Sequence, residues 1–127
     1  MQQPPTAADL LATVAEVLDD EIVPALTGPA QHHARVAASL VAIVARELRL
    51  GGPAAEREAA AVTELLGDRI ESGSLDLLRL RRRLASELRA GMADDPATSA
   101  EIWEVLMGVV KDDLAIAKPG HDGWEGE

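Results

Sequence analysis

Apolar residues recur at helical spacing along nearly the whole chain, no segment alternates with period two, and each run ends at a glycine or a proline. That pattern restricts the fold to packed helices. Thr6 follows two prolines and has Asp9 three positions on, a capping-box arrangement with Asp in place of Glu. It opens a first helix whose stripe is Leu10, Leu11, Val14, Val17, Leu18 and Ile22, closed by Pro24 and Thr27-Gly28-Pro29. A second helix is predicted from about Ala30 to Leu50, stopping at Gly51-Gly52-Pro53. Pro53 then begins a third helix that ends at Leu66, with Gly67 as its cap. Ser74 is expected to cap a fourth, Leu75 to Ala90, and Asp95-Pro96 opens a fifth that lasts to about Ala117. The expectation is an all-α antiparallel bundle of about five helices, one domain over residues 1–118, with a short disordered tail at 119–127.

Composition limits what such a bundle can do. The chain has 127 residues, the usual size of one domain, and 47% of them are apolar, yet there is no Phe or Tyr and only two Trp. Leu, Val, Ile and Ala must therefore fill the interior. Twenty-two acidic side chains against 12 basic ones give a net charge of −10, which repels phosphate backbones and anionic lipid, so neither nucleic acid nor membrane is an expected partner. There is no Cys, which removes thiolate metal sites and thiol nucleophiles. The N-terminal stretch lacks a secretory pattern, and the uncharged run Val36 to Ala45 is about half of the ~20 residues a membrane span needs. A soluble cytoplasmic protein is expected.

Charged residues that fall inside an apolar arc are the candidates for a site, because an ionised group taken from water needs a partner. On a wheel of about 100° per residue, Glu21 lies inside the arc of the first helix. In the second, Val36, Ala37, Leu40, Val44 and Leu48 define the inner arc. His33 falls at its centre, His32 at its edge, Glu47 inside it, and Arg35 faces away. An antiparallel hairpin would bring Glu21 opposite His33 as an interior ion pair. Arg81 intrudes on the leucine stripe of the fourth helix, and Asp113 on the fifth helix's wide arc of Ile102, Trp103, Leu106, Met107, Val109, Val110 and Leu114. Glu47 and Asp113 then compete for Arg81, while the run Arg79 to Arg83 otherwise reads as a solvated face. A helix apolar over so much of its circumference is central or covered by another chain, which makes Trp103, Met107 and Val110 interface candidates and a homodimer an expected assembly. Gly108 within it suggests a close backbone contact.

Catalytic signatures do not appear: there is no glycine-rich phosphate loop, no nucleophile elbow and no paired-histidine zinc motif. Positions four beyond His32 and His33 are Val36 and Ala37, so no metal site and no cofactor are expected.

Four stretches resemble a known family: PPTAADLLATVAEVL, HARVAASLVAIVARELRLG, LASELRAG and DDLAIAKP. Together they are similar to a family of small bacterial helical proteins classified as a domain of unknown function. His33, Arg35 and Arg46-Glu47-Leu48 carry the most specific part of the likeness. Ser39, Arg81 and Asp113 depart from the family pattern, where Asn, Asn and Lys are common. The family is typically encoded near acyl-CoA dehydrogenases and aminoglycoside-phosphotransferase-like kinases, so the resemblance implies a kinase-like or acyl-CoA-metabolising partner. Three functional classes stand open: a non-catalytic accessory module docking on such an enzyme, a binder of an acyl or CoA-type ligand with Arg81 or Arg35 meeting its anionic group, and an acid–base enzyme using His33 with Glu21.

Overall fold

The computed structural model describes residues 4–70 and 76–120, and among these all regular structure is helical. The elements are α1 (Ala7–Val17), a π-helical turn (Leu18–Ile22), the short α2 (Val23–Ala25), α3 (Gly28–Leu66), α4 (Leu77–Arg89) and α5 (Pro96–Ala117), with 3₁₀ turns at Gly67–Arg69 and Met92–Asp94. The residues divide into two compact units, Met1–Gly52 with Ile116–Lys118, and Pro53–Ala115 with Pro119–Glu127.

Local signals explain most of the boundaries. Thr6 Oγ1 accepts from Asp9 N at 3.1 Å while Asp9 Oδ2 accepts from Thr6 N at 3.1 Å, the reciprocal pair of a capping box. Asp95 opens α5 by accepting from Thr98 N and Thr98 Oγ1. Gly67 and Gly91, at φ +52° and +101°, turn the chain after α3 and α4 in a conformation that a side chain would oppose. The cap of α4 is Asp76, whose carboxylate accepts from Arg79 N at 2.9 Å. The expected cap Ser74 and most of the expected tail lie outside the described residues.

Two expectations need correction. The second and third predicted helices are one, because α3 runs through Pro53. A proline normally conflicts with the Cβ of the preceding residue in helical conformation; here that residue is Gly52, which has none. The end of the first helix is also reshaped: its last turn widens, with Val23 N–H reaching back to Leu18 O. Pro24, just beyond, has no N–H to continue an α-helical ladder.

In the first unit α1 and α3 run antiparallel, since Asp9 pairs with Arg49 at 3.7 Å while Gln31 Nε2 donates to Val23 O at 3.1 Å. The most deeply buried side chains of their seam are small, Ala8 and Ala15 from α1 and Ala34, Ala38 and Ala45 from α3, while Leu11, Leu18, Val41 and Leu50 are half-buried. Val23 and Ile116 are the larger buried members. Alanine lets two backbones approach closely, and this overturns the expected inner arc: Val36, Leu40, Val44 and Leu48 are exposed, Leu40 by 58%. The second unit packs conventionally, with Val62, Leu66, Leu80, Leu84, Met92 and Ile102 forming a contiguous aliphatic core.

Candidate functional site

The first unit carries one open apolar face. On α1 and its π turn the exposed members are Leu10, Val14, Val17 and Ile22; on α3 they are Val36, Leu40, Val44 and Leu48. With about 100° per residue and antiparallel helices facing each other through the alanine seam, both stripes fall on the same side of the hairpin. Glu21, His33 and Glu47 lie on that side too, and all three are exposed. The inward placement expected for His33 and Glu21 is therefore not what the fold provides. The seam they were assigned to is filled by alanine, and no hydrogen bond or ion pair joins them among the described residues. The rings of His32 and His33 are tilted neighbours, 6.0 Å between centroids. Arg35 is exposed, whereas Arg46 donates through Nε to Ile116 O at 2.7 Å.

In the second unit the polar residues are arranged in pairs. Arg81 donates through Nε and Nη2 to the two oxygens of Glu58 at 2.6 and 2.7 Å, a fork-to-fork contact. The contest expected between Glu47 and Asp113 for Arg81 gives way to this pairing. Asp113 is exposed and only adds to the negative potential around the guanidinium. The hydrogen bonds to Glu58, then the charges of Glu58 and Asp113, outweigh desolvation and raise the Arg81 pKa above its ordinary value. Arg57 makes a second bidentate pair with Asp112, at 3.1 and 3.0 Å. Sequence reasoning missed Glu58, Arg57 and Asp112. The available signal was Arg57-Glu58 interrupting an alanine-rich stretch of helix, which places charge on a face that is otherwise small and apolar.

Two open grooves adjoin these pairs. One, of about 430 Å³, has Arg57, Glu58, Glu104, Lys111 and Asp112 on its lining, three carboxylates against two cations, with Val105 and Val109 between. The other, of about 300 Å³, is lined by Val62, Leu84, Leu88, Val105, Leu106 and Val109, with Arg81 and Glu58 at its edge. A Cβ added at Gly108 would meet nothing within 4 Å, so the close backbone contact expected there is absent. Along α5, Ile102 is buried in the core while Trp103, Leu106 and Val110 are exposed, Trp103 by 64%. Met107 is half-buried.

Among the described residues no group of three His, Asp or Glu side chains is placed to hold a metal ion, and no helix is long and apolar enough to cross a membrane. These features define an all-α protein whose exposed chemistry is apolar helix face and surface ion pair. Residues 24–121 match the family described as Domain of unknown function (DUF6285), and the chain belongs to that family. No curated protein and no solved structure is significantly similar to it.

Proposed function

We propose that the protein is a non-catalytic accessory module that docks on a partner enzyme through the outward face of α5. The observation that carries this reading is the alignment of Trp103, Leu106 and Val110, all exposed, on one side of the helix. A large ring held in water at a regular helix surface has the composition and shape of an interface anchor, since Trp dominates the energetics of protein contacts. The partner class is a kinase-like or acyl-CoA-metabolising enzyme, as the family resemblance implies, in a bacterial cytoplasm.

A second reading, an acyl-ligand binder, draws support from the apolar groove of about 300 Å³ with Arg81 at its edge. It is disfavoured because two nitrogens on one edge of the guanidinium are engaged by Glu58, leaving an anionic head group to compete with a bidentate carboxylate. The acid–base class is weaker still, because Glu21 and His33 lie in the first unit and both described grooves are lined by the second.

The test is titration calorimetry of the full chain against purified kinase-like and acyl-CoA dehydrogenase proteins of the same organism, with Trp103→Ala alongside. Docking through α5 predicts that Trp103→Ala weakens binding by about 30-fold or more, the size of an anchor residue. Unchanged affinity in the variant, or no binding by either class, removes the reading. A rise in melting temperature with acyl-CoA compounds would move the conclusion to the ligand-binding alternative.

A further inference from the structure

The open face of the α1–α3 hairpin is a separate surface in a separate unit, and four of its α3 residues flank Leu40 symmetrically, whereas Leu48 is mirrored by His32. Val36 lies four residues before Leu40 and Val44 four after it; His33 lies seven before and Glu47 seven after. In an antiparallel pair of identical helices crossing at Leu40, each position faces the one equally far beyond the centre. Val36 then meets Val44, Leu40 meets its own copy, and the imidazole of His33 meets the carboxylate of Glu47, twice. We infer that this face closes on a second copy of the chain, α3 against α3 antiparallel about Leu40, so that His33 of each copy pairs with Glu47 of the other.

Three observations support the second copy as the occupant. The first is polar complementarity: a face that carries an imidazole and a carboxylate, able to hydrogen-bond each other, at mirror positions is self-complementary, which is the requirement of a two-fold interface. The second is the direction of the side chains. Glu47 leans toward the C-terminal end of its helix, with Oε1 only 2.5 Å from where a Cβ on Gly51 would stand. A helical side chain such as that of His33 leans toward its own N-terminus. In an antiparallel pair those directions coincide, so the carboxylate reaches toward the imidazole of the other copy, over a glycine that leaves it room. The third is extent. The stripe Val36 to Leu48 is about 18 Å long at about 1.5 Å per residue, and two helices about 10 Å apart give an apolar face on the order of 400 Å² in projection. That is the scale at which exposed apolar surface marks a contact site. With α1 contributing Leu10, Val14, Val17 and Ile22 beside it, two hairpins form a four-helix arrangement with these side chains at its centre.

The test is sedimentation equilibrium of the full 13.4 kDa chain over a dilution series. The wild type is expected to approach twice that mass. Leu40→Glu places two carboxylates against each other at the two-fold axis and should yield monomer. Because Leu40 is 58% exposed, its fold is retained, checked by circular dichroism. Glu47→Lys alone should raise the dimer dissociation constant by about 10-fold or more, and adding His33→Glu should restore it to within about 3-fold. A monomeric mass for the wild type overturns the inference, as does a dimer that survives Leu40→Glu or is broken by Val110→Glu on α5. A double charge exchange that fails to restore pairing overturns the register. None of these outcomes bears on docking through Trp103, which lies on a different helix.

Discussion

Removing one member of the Arg81–Glu58 pair should have unequal consequences, because the two side chains are covered unequally: Arg81 is 53% exposed and Glu58 only 11%. Arg81→Met keeps most of the aliphatic stem but strands a carboxylate that is nine-tenths covered. A hydrogen bond to a charged group contributes about 1.5–3 kcal/mol, and the exposure of the guanidinium reduces that by solvent screening, so a loss of about 1–2 kcal/mol is expected. Glu58→Gln leaves an arginine that can turn to water, and should cost less than about 1 kcal/mol. Combining the two should cost less than the sum, with a coupling near 1 kcal/mol. Urea unfolding followed by circular dichroism reads all four proteins. The raised pKa of Arg81 fixes the sign of any pH effect: the contribution is fully present below the ordinary guanidinium value and is lost only as pH climbs through the raised one. The coupling should therefore be flat across the neutral range. Equal losses below about 0.3 kcal/mol for both single variants would mean that the pair is a solvated surface contact and that the argument from coverage is wrong.

Gly108→Ala should stabilise the chain by about 1 kcal/mol, or roughly 4 °C in melting temperature, because the added methyl meets nothing and the helix gains propensity; a lower melting temperature would restore the close-contact reading. Leu66→Ala, at a site with no exposure, should cost about 2–5 kcal/mol, whereas Leu78→Ala, at an exposed one, should stay within about 0.5 kcal/mol in the same urea assay. Backbone N–H groups of Thr6 and Thr98, followed by their side chains, hold the carboxyls of Asp9 and Asp95 below the ordinary aspartate range. Groups with lowered pKa stabilise the fold above the unfolded value and lose that effect as pH falls through the folded one. Melting temperature measured from about pH 5 to about pH 2 should thus fall less steeply in Asp95→Asn than in the wild type.

What the sequence revealed depended on whether a signal was local. The Thr6–Asp9 box, the Asp95-Pro96 start, and Gly67 and Gly91 at helix ends are each decided within a few residues, and each stands where expected. Pro53 misled because part of its effect depends on its neighbour, and Gly52, having no Cβ, removes that part of the conflict in α3. Arg81 was legible as a cation needing a partner, but the chain holds 22 carboxylates, and only the packing of α4 beside α3 selects Glu58. The wheel erred most on the first unit. It centred the buried arc on the bulkiest apolar residues, while the most deeply buried positions are mostly alanine, so His33, Glu21 and Glu47 followed the exposed large side chains to the open side.

That inversion has an energetic consequence. Burying an alanine methyl removes little apolar area, about 0.8 kcal/mol per methyl-sized group, whereas a buried leucine or valine contributes about 1.5–3 kcal/mol. The first unit buries five alanines with Val23 and Ile116, and leaves Leu10, Val14, Leu40 and Leu48 in water. Ordering each residue costs about 1–2 kcal/mol of backbone entropy, and the half-buried Leu11, Leu18, Val41 and Leu50 supply only part of a fully buried side chain's contribution to offset it. Coverage of the open face should therefore control the stability of α1 more than its own seam does. Under the inferred α3–α3 pairing, amide exchange over Ala7–Val17 should slow as protein concentration rises, while exchange in the core around Leu66 and Leu80 changes far less, because mass action would protect only the covered face. Exchange in α1 that is slow and independent of concentration would show that the alanine seam suffices alone, and would take away the physical reason for the face to be covered at all.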